Sequence, residues 1–160
     1  MYISSLSIGF IEVYNKITIN IYPIGCLRDC KGCSNEVFKD FNYPDKKVLT
    51  EEELIHQLKK SDGLVNGICW LGGDALYQPG ELINLSQAVY RYNPSLINCL
   101  YTGELFENIK DSILTCGINM VVDGKWEGKT IEQKDTNQRI FLKKREWKEV
   151  SYEEFKKYGE

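Results

Sequence analysis

The sequence lacks any long hydrophobic run and any recognisable targeting signal. No stretch approaches the roughly 20 apolar residues that a membrane-spanning helix needs. The first residues, MYISSLSIGFIEVYNK, lack the basic start, the sustained apolar core and the small-residue cleavage site of a secretory signal. We therefore expect a cytoplasmic protein that makes no contact with a membrane.

Internal repeats, low-complexity tracts and Pro/Gly/Ser linkers are also absent from the 160 residues. A chain of this length forms about one domain around one core, so residues 1–160 are predicted to be a single domain. The net charge of −3 argues against nonspecific binding to polyphosphates, and no nucleic-acid partner is expected. The short basic strip Lys143-Lys144-Arg145 is interpreted as a solvated face.

The chain does contain a tight group of thiols. Three of its six cysteines, Cys26, Cys30 and Cys33, occupy eight consecutive positions within the stretch GCLRDCKGCSN, with the spacing C-x3-C-x2-C. Thiols stay reduced in the cytoplasm, so such a group binds metal or performs redox chemistry more often than it forms disulfides.

Two kinds of metal site are compatible with three clustered cysteines. A closed zinc site needs four ligands, and the fourth would have to be Cys69, Cys99, Cys116 or His56. We interpret Cys69, Cys99 and Cys116 as buried apolar residues and His56 as exposed, so a closed zinc site is disfavoured. A 4Fe-4S cluster bound by three thiolates would keep one iron open to a substrate or cofactor. A cluster that only carries electrons would require a fourth cysteine.

The order of predicted elements indicates an α/β fold. Strands are predicted over 16–24, 64–71, 95–103 and 118–124, and helices over 49–60, 79–92 and 104–114. Alternating strands and helices build a parallel sheet through right-handed crossovers, and 160 residues allow a partial barrel or an open sheet. The site should then lie at the carboxyl ends of the strands. The loops expected there are the cysteine loop, Gly72-Gly73-Asp74, Tyr101-Thr102-Gly103 and Asp123-Gly124.

These motifs resemble those of the radical S-adenosylmethionine (SAM) enzymes. In that superfamily C-x3-C-x2-C follows the first strand, and a Gly-Gly-acid turn, here in WLGGDALY, follows the next. More narrowly, the chain is similar to the small activating enzymes of anaerobic ribonucleotide reductase, which are glycyl-radical activases. The segments that carry this likeness are GCLRDCKGCSN, LGGDALYQ, YTGELFENI, VVDGKWEGK and DTNQRIF. The resemblance implies an abbreviated partial (β/α) barrel of the radical SAM type with a mostly parallel sheet.

The resemblance also implies the chemistry. Cys26, Cys30 and Cys33 would be the catalytic ligands of a 4Fe-4S cluster whose fourth iron takes SAM. Reductive cleavage would give a 5′-deoxyadenosyl radical that abstracts hydrogen from a glycine of the large reductase subunit. The electron would come from a low-potential donor such as flavodoxin or ferredoxin. The residues expected to contact SAM are Gly32, Cys33, Ser34, Gly72, Gly73 and Asp74, the last through the methionine amino group.

The sequence leaves the roles of several positions open. Thr102 and Asp123 are candidates for SAM contact because of their place at strand ends, and a turn or helix-capping role is equally compatible. Asn137-Gln138-Arg139 matches the family pattern without revealing its role, and Ala75 follows the Gly-Gly-Asp turn. The aromatic C-terminal stretch is expected to pack rather than dock a partner. A small radical SAM enzyme acting on a small molecule, or on a different glycyl-radical enzyme, is the alternative function.

Overall fold

The computed structural model describes residues 1–61, 63–112 and 115–158, which form one mixed α/β unit. Its strands are β1 (Tyr2–Gly9), β2 (Thr18–Pro23), β3 (Lys47–Val48), β4 (Gly67–Trp70), β5 (Ile97–Tyr101), β6 (Met120–Asp123), β7 (Arg139–Lys143) and β8 (Trp147–Val150). Its helices are α1 (Glu51–Lys60), α2 (Pro79–Tyr92), α3 (Phe106–Ile109) and α4 (Tyr152–Tyr158). Within these ranges the strands form one sheet in the order β3-β1-β2-β4-β5-β6-β7-β8.

The centre of the sheet is parallel, as predicted. Strands β2, β4, β5 and β6 are neighbours and all run in the same direction. They coincide with the four strands that the hydrophobic pattern predicts, and their carboxyl ends therefore meet at one edge of the sheet. The α/β class and the parallel core are confirmed, whereas curvature into a partial barrel stays a prediction.

Antiparallel strands extend the sheet on both sides, and the sequence pattern does not predict them. Strand β1 pairs with β2 and β3, while β7 pairs with β6 and β8. The sequences of β1, YISSLSIG, and β8, WKEV, lack the regular alternation of apolar and polar residues that marks a half-buried strand. These strands are therefore not recognisable from the hydrophobic pattern.

The predicted helices are confirmed for α1 and α2. Thr50 and Glu53 form the capping box of α1, and Pro79 begins α2. The third helix is shorter than predicted, because α3 ends at Ile109. Residues 113 and 114 of the predicted helix lie outside the described residues.

Apolar side chains pack on both faces of the sheet. One cluster joins Leu54, Leu58 and Leu82 of the helices to Ile68 and Trp70 of β4. The other contains Cys69 and Cys99, buried as predicted, together with Val13, Met120 and Phe155.

The aromatic C-terminal stretch packs within the chain, as expected. Phe155 of α4 is 1% exposed, and the rings of Trp147 and Phe106 lie 5.1 Å apart, centroid to centroid. Lys143, Lys144 and Arg145 are exposed, as predicted for a solvated strip. None of the helices in the described ranges is long and apolar enough to cross a membrane.

Candidate active site

The three clustered cysteines line one cavity of about 290 Å³ at the carboxyl ends of the parallel strands. Ser34 of the cysteine loop, Gly72 and Gly73 after β4, Tyr101 of β5 and Gly124 after β6 also contribute to its wall. The prediction that loops from all four strands meet at one edge is therefore confirmed. Gly32, Asp74, Thr102 and Asp123 do not line this cavity.

The cysteine loop leaves β2 through a turn that only glycine suits. Gly25 has φ +93°, and a Cβ there would lie 2.4 Å from the Phe41 ring. The Gly25 amide donates to the Phe38 carbonyl at 2.8 Å, and the Cys26 amide donates to the Lys39 carbonyl at 3.1 Å. The base of the loop is thus held by the segment that follows it.

All three loop thiols are free and partly exposed. The Arg28 amide donates to Cys26 Sγ at 3.4 Å, and burial raises the pKa of the Cys26 thiol, although this hydrogen bond acts in the opposite direction. Among the described residues, no group of three or more His, Cys, Asp and Glu side chains converges on one metal ion. A cubane cluster takes each thiolate on a different iron, so three thiols spread over one cavity wall are a suitable donor set.

The turn after β4 lies directly against the cysteine loop. The Gly73 amide donates to the Pro23 carbonyl at 2.7 Å. A Cβ on Gly72, whose φ is +73°, would lie 2.5 Å from the Pro23 carbonyl oxygen, and one on Gly73 would lie 2.6 Å from the Gly25 carbonyl oxygen. The two glycines therefore bring backbone against backbone beside the cavity.

Asp74 is buried outside the cavity lining and joins the loops that follow β4 and β5. Its side chain is 2% exposed. It accepts hydrogen bonds from the Leu76 amide at 3.0 Å, the Thr102 hydroxyl at 2.8 Å and the Gly103 amide at 3.1 Å. Burial raises the pKa of Asp74, and these donors oppose that rise. Its proposed role as ligand of the methionine amino group stays a prediction.

Asp123 is a second buried carboxylate near the strand ends, and it is the partner of Arg139. The fully buried Asp123 accepts from the Phe106 amide at 2.7 Å and therefore caps the start of α3. Arg139 donates through Nε to Asp123 at 3.1 Å and through both terminal nitrogens to Glu107 at 2.9 and 2.8 Å. Arg139 therefore pairs with carboxylates of its own chain. Contact of Asp123 or Thr102 with SAM stays a prediction.

Comparison with known proteins identifies the family. A family model described as a 4Fe-4S single cluster domain matches residues 17–144, a span that includes all three cavity cysteines. The chain belongs to this 4Fe-4S single cluster family. It is also 31% identical over 130 residues to the anaerobic ribonucleoside-triphosphate reductase-activating protein of Enterobacteria phage T4, covering 76% of this chain and 81% of the relative. The resemblance to reductase-activating proteins is confirmed.

In this member of the 4Fe-4S single cluster family, the site also contains residues that no sequence motif identifies. Trp126 lines the cavity and donates through Nε1 to the Gly32 carbonyl at 3.0 Å. Its position in the segment VVDGKWEGK was the available signal. Ile11 and Glu12 also line the cavity, and no motif indicates them, because the β1–β2 connection brings them there.

The pair Asn137 and Gln138 supports the loop after β6. Asn137 donates through Nδ2 to the Lys125 carbonyl at 2.7 Å, and Gln138 lines the cavity. These contacts give the family pattern Asn-Gln-Arg a structural role.

Two residues considered as a fourth zinc ligand lie on the surface. His56 is exposed, as predicted. The predicted burial of Cys116 is wrong, because it belongs to an exposed turn after α3, where Gln87 Nε2 donates to its sulfur at 3.2 Å.

Proposed function

We propose that this chain is a radical SAM activase that generates a glycyl radical on an anaerobic ribonucleotide reductase. The observation that carries the proposal is the lining of one cavity by Cys26, Cys30 and Cys33 together with the turn Gly72-Gly73. The similarity to the phage T4 protein supports the choice of reaction and partner.

The chain's own residues account for the cluster site. Cys26, Cys30 and Cys33 would hold a 4Fe-4S cluster, which when bound supplies the electron for reductive cleavage of the carbon–sulfur bond of SAM. Gly25 and Gly73 hold the base of the loop against the strand ends, so the thiols are presented to the cavity by a hydrogen-bonded frame.

Contacts to SAM are proposed for two groups of residues. Ser34, Gly72 and Gly73 line the cavity with Cys33, and their backbone is proposed to contact the methionine part. Gly32 is proposed to act through its backbone beside them. Asp74 is proposed to bind the methionine amino group, and Thr102 and Asp123 are proposed as further contacts to SAM. Hydrogen bonds of all three side chains set the positions of the strand-end loops.

The proposed setting follows from the activase role. The large glycyl-radical reductase subunit is the protein substrate, and a low-potential carrier such as flavodoxin or ferredoxin is the electron donor. We place this reaction in the cytoplasm, where thiols remain reduced. The sheet is proposed to curve as an abbreviated (β/α) barrel around the cavity.

The first test is anaerobic reconstitution with iron and sulfide, followed by dithionite, SAM and chromatography for 5′-deoxyadenosine. We expect about four irons per chain and 5′-deoxyadenosine from the wild type. Cys30→Ala should abolish the product, because it removes one of three ligands. Cys116→Ala is the matched control, since this thiol lies on the surface outside the cavity, and it should retain both cluster and product.

Two results would contradict the proposal. One is zinc at about one ion per chain with no sulfide and no 5′-deoxyadenosine. The other is equal product from Cys30→Ala and the wild type.

The partner requires a separate measurement. Mixing the reduced, reconstituted chain and SAM with a purified anaerobic reductase should produce a glycyl-radical signal in electron paramagnetic resonance. Formation of 5′-deoxyadenosine without any such signal, even with the reductase from the same source, would favour a different substrate.

A further inference from the structure

Arg28 lies inside the cysteine motif, between Cys26 and Cys30, and neither the motif nor the family comparison assigns it a role. Its side chain lines the cavity, and 24% of that side chain is exposed. It is the one arginine between the clustered cysteines.

The Arg28 guanidinium reaches the ends of two parallel strands at once. Nη2 donates to Glu104 Oε2 at 2.8 Å, and Nε lies 3.5 Å from Asp74 Oδ2. Glu104 belongs to the loop after β5, and Asp74 to the turn after β4. Thr102 and Gly103 also donate hydrogen bonds to Asp74. Arg28 therefore connects the cysteine loop to a carboxylate that other residues hold in place.

Close packing against Gly103 also restricts the position of the Arg28 side chain. The Arg28 side chain crosses Gly103 so closely that a Cβ on Gly103 would lie 2.4 Å from Arg28 Cδ. The Arg28 amide meanwhile donates to Cys26 Sγ. The same residue therefore contacts a thiol through its backbone and the strand ends through its side chain.

We propose that Arg28 is a positioning residue that holds the cysteine loop in its ligand-presenting conformation before a cluster binds. Its guanidinium suits this role, because Nη2 donates a hydrogen bond to Glu104 while the buried Nε, which has no hydrogen-bond partner among the described residues, lies at ion-pair distance from Asp74. A lysine carries all its donors on one nitrogen, so it cannot match the separate positions of Nε and Nη2. The part of this inference that concerns the cluster rests on the proposed function.

The test is amide hydrogen exchange of segment 25–35 in the full chain before reconstitution. Arg28→Gln should speed exchange at the hydrogen-bonded amides of Gly25, Cys26 and Cys33 by roughly three- to tenfold, as expected for loss of a partly buried charged contact. Arg28→Lys should lie between Arg28→Gln and the wild type. Exchange in α1 is the internal reference and should not change.

Two further variants separate this role from a general effect of charge. Arg91→Gln removes an arginine from an exposed pair with Glu51, at 3.1 Å, and should leave exchange in 25–35 unchanged. Glu104→Gln should speed exchange in 25–35, and adding it to Arg28→Gln should produce less than the sum of the two single effects. Wild-type exchange in Arg28→Gln, or fully additive effects, would overturn the proposal.

A second readout uses the reconstituted protein. Excess iron chelator should remove the cluster absorption several-fold faster from Arg28→Gln than from the wild type or Arg91→Gln. Equal rates would overturn the role of Arg28 in cluster retention. If the wild type assembles no cluster, the proposed function fails, while the exchange measurement still decides whether Arg28 positions the loop.

Discussion

Gly72 shows how the absence of one side chain shapes the site. Its left-handed backbone and its contact with the Pro23 carbonyl bring the turn after β4 against the start of the cysteine loop. A larger residue would meet backbone rather than a flexible side chain, so the strain has no easy release. The close approach places Gly72 and the thiols on one cavity wall.

Gly72→Ala should therefore lower the free energy of unfolding by about 2–4 kcal/mol, the sum of the left-handed backbone cost and of overpacking. Gly128→Ala is a matched control, because Gly128 also has a positive φ (+83°) but a Cβ there would meet nothing within 4 Å. Gly128→Ala should lower the free energy of unfolding by about 1 kcal/mol. Urea unfolding measures both values, and equal losses would contradict the role of the close contact.

The C-terminal helix α4 completes one face of the sheet although its sequence is highly charged. Its buried residue is Phe155, which joins the cluster that contains Cys69, Cys99 and Met120. The capping contacts of Ser151 with Glu154 fix the start of the helix, with the Glu154 amide donating to Ser151 Oγ at 3.2 Å. A short helix of this kind depends on tertiary packing more than on its own propensity.

Phe155→Ala should reduce the free energy of unfolding by about 3–5 kcal/mol, because it leaves a cavity beneath the sheet. Phe10→Ala makes the same chemical change at a side chain that is 63% exposed. Its free energy of unfolding should lie within about 0.5 kcal/mol of the wild-type value. Chemical denaturation of both variants is the measurement. A small effect of Phe155→Ala would mean that α4 is not part of the cooperative fold.

In the molecule as a whole, ion pairs connect the strand-end loops around the site. Arg28 links the cysteine loop to Glu104 and Asp74, and Arg139 links β7 to Asp123 and Glu107. Hydrogen bonds from Arg139 lower the pKa of Glu107 from its ordinary 4.5 to about 2. A carboxylate whose pKa is lower in the folded state stabilises the fold above pH 4.5, and this contribution disappears as the pH falls towards 2.

Glu107→Gln should therefore be less stable than the wild type at pH 6, and the difference should shrink between pH 4.5 and 2. Urea midpoints measured across this range provide the test. A difference that stays constant with pH would show that the Arg139 contact does not stabilise the ionised form of Glu107.

The hydrophobic pattern is enough to predict the parallel core, because β2, β4, β5 and β6 are apolar runs separated by amphipathic helices. It does not predict β1 or β8, whose polar residues become strands only through pairing with neighbours. The start of α3 at Phe106 is likewise undetectable, since it depends on a hydrogen bond from the Phe106 amide to Asp123, 17 positions away.

The three clustered thiols, the glycine turn and the order of strands that brings them to one edge can all be predicted from the amino-acid sequence. These features depend on residues close together in the chain, so residue spacing and hydrophobic periodicity are enough to predict them. The folded chain is needed to see that Arg28 and Arg139 pair with carboxylates on other loops, that Asp74 is buried and does not line the cavity, and that Trp126 and Glu12 reach the site. Such contacts join residues far apart in the chain, and no local pattern encodes which of several compatible partners a charged or aromatic side chain will meet.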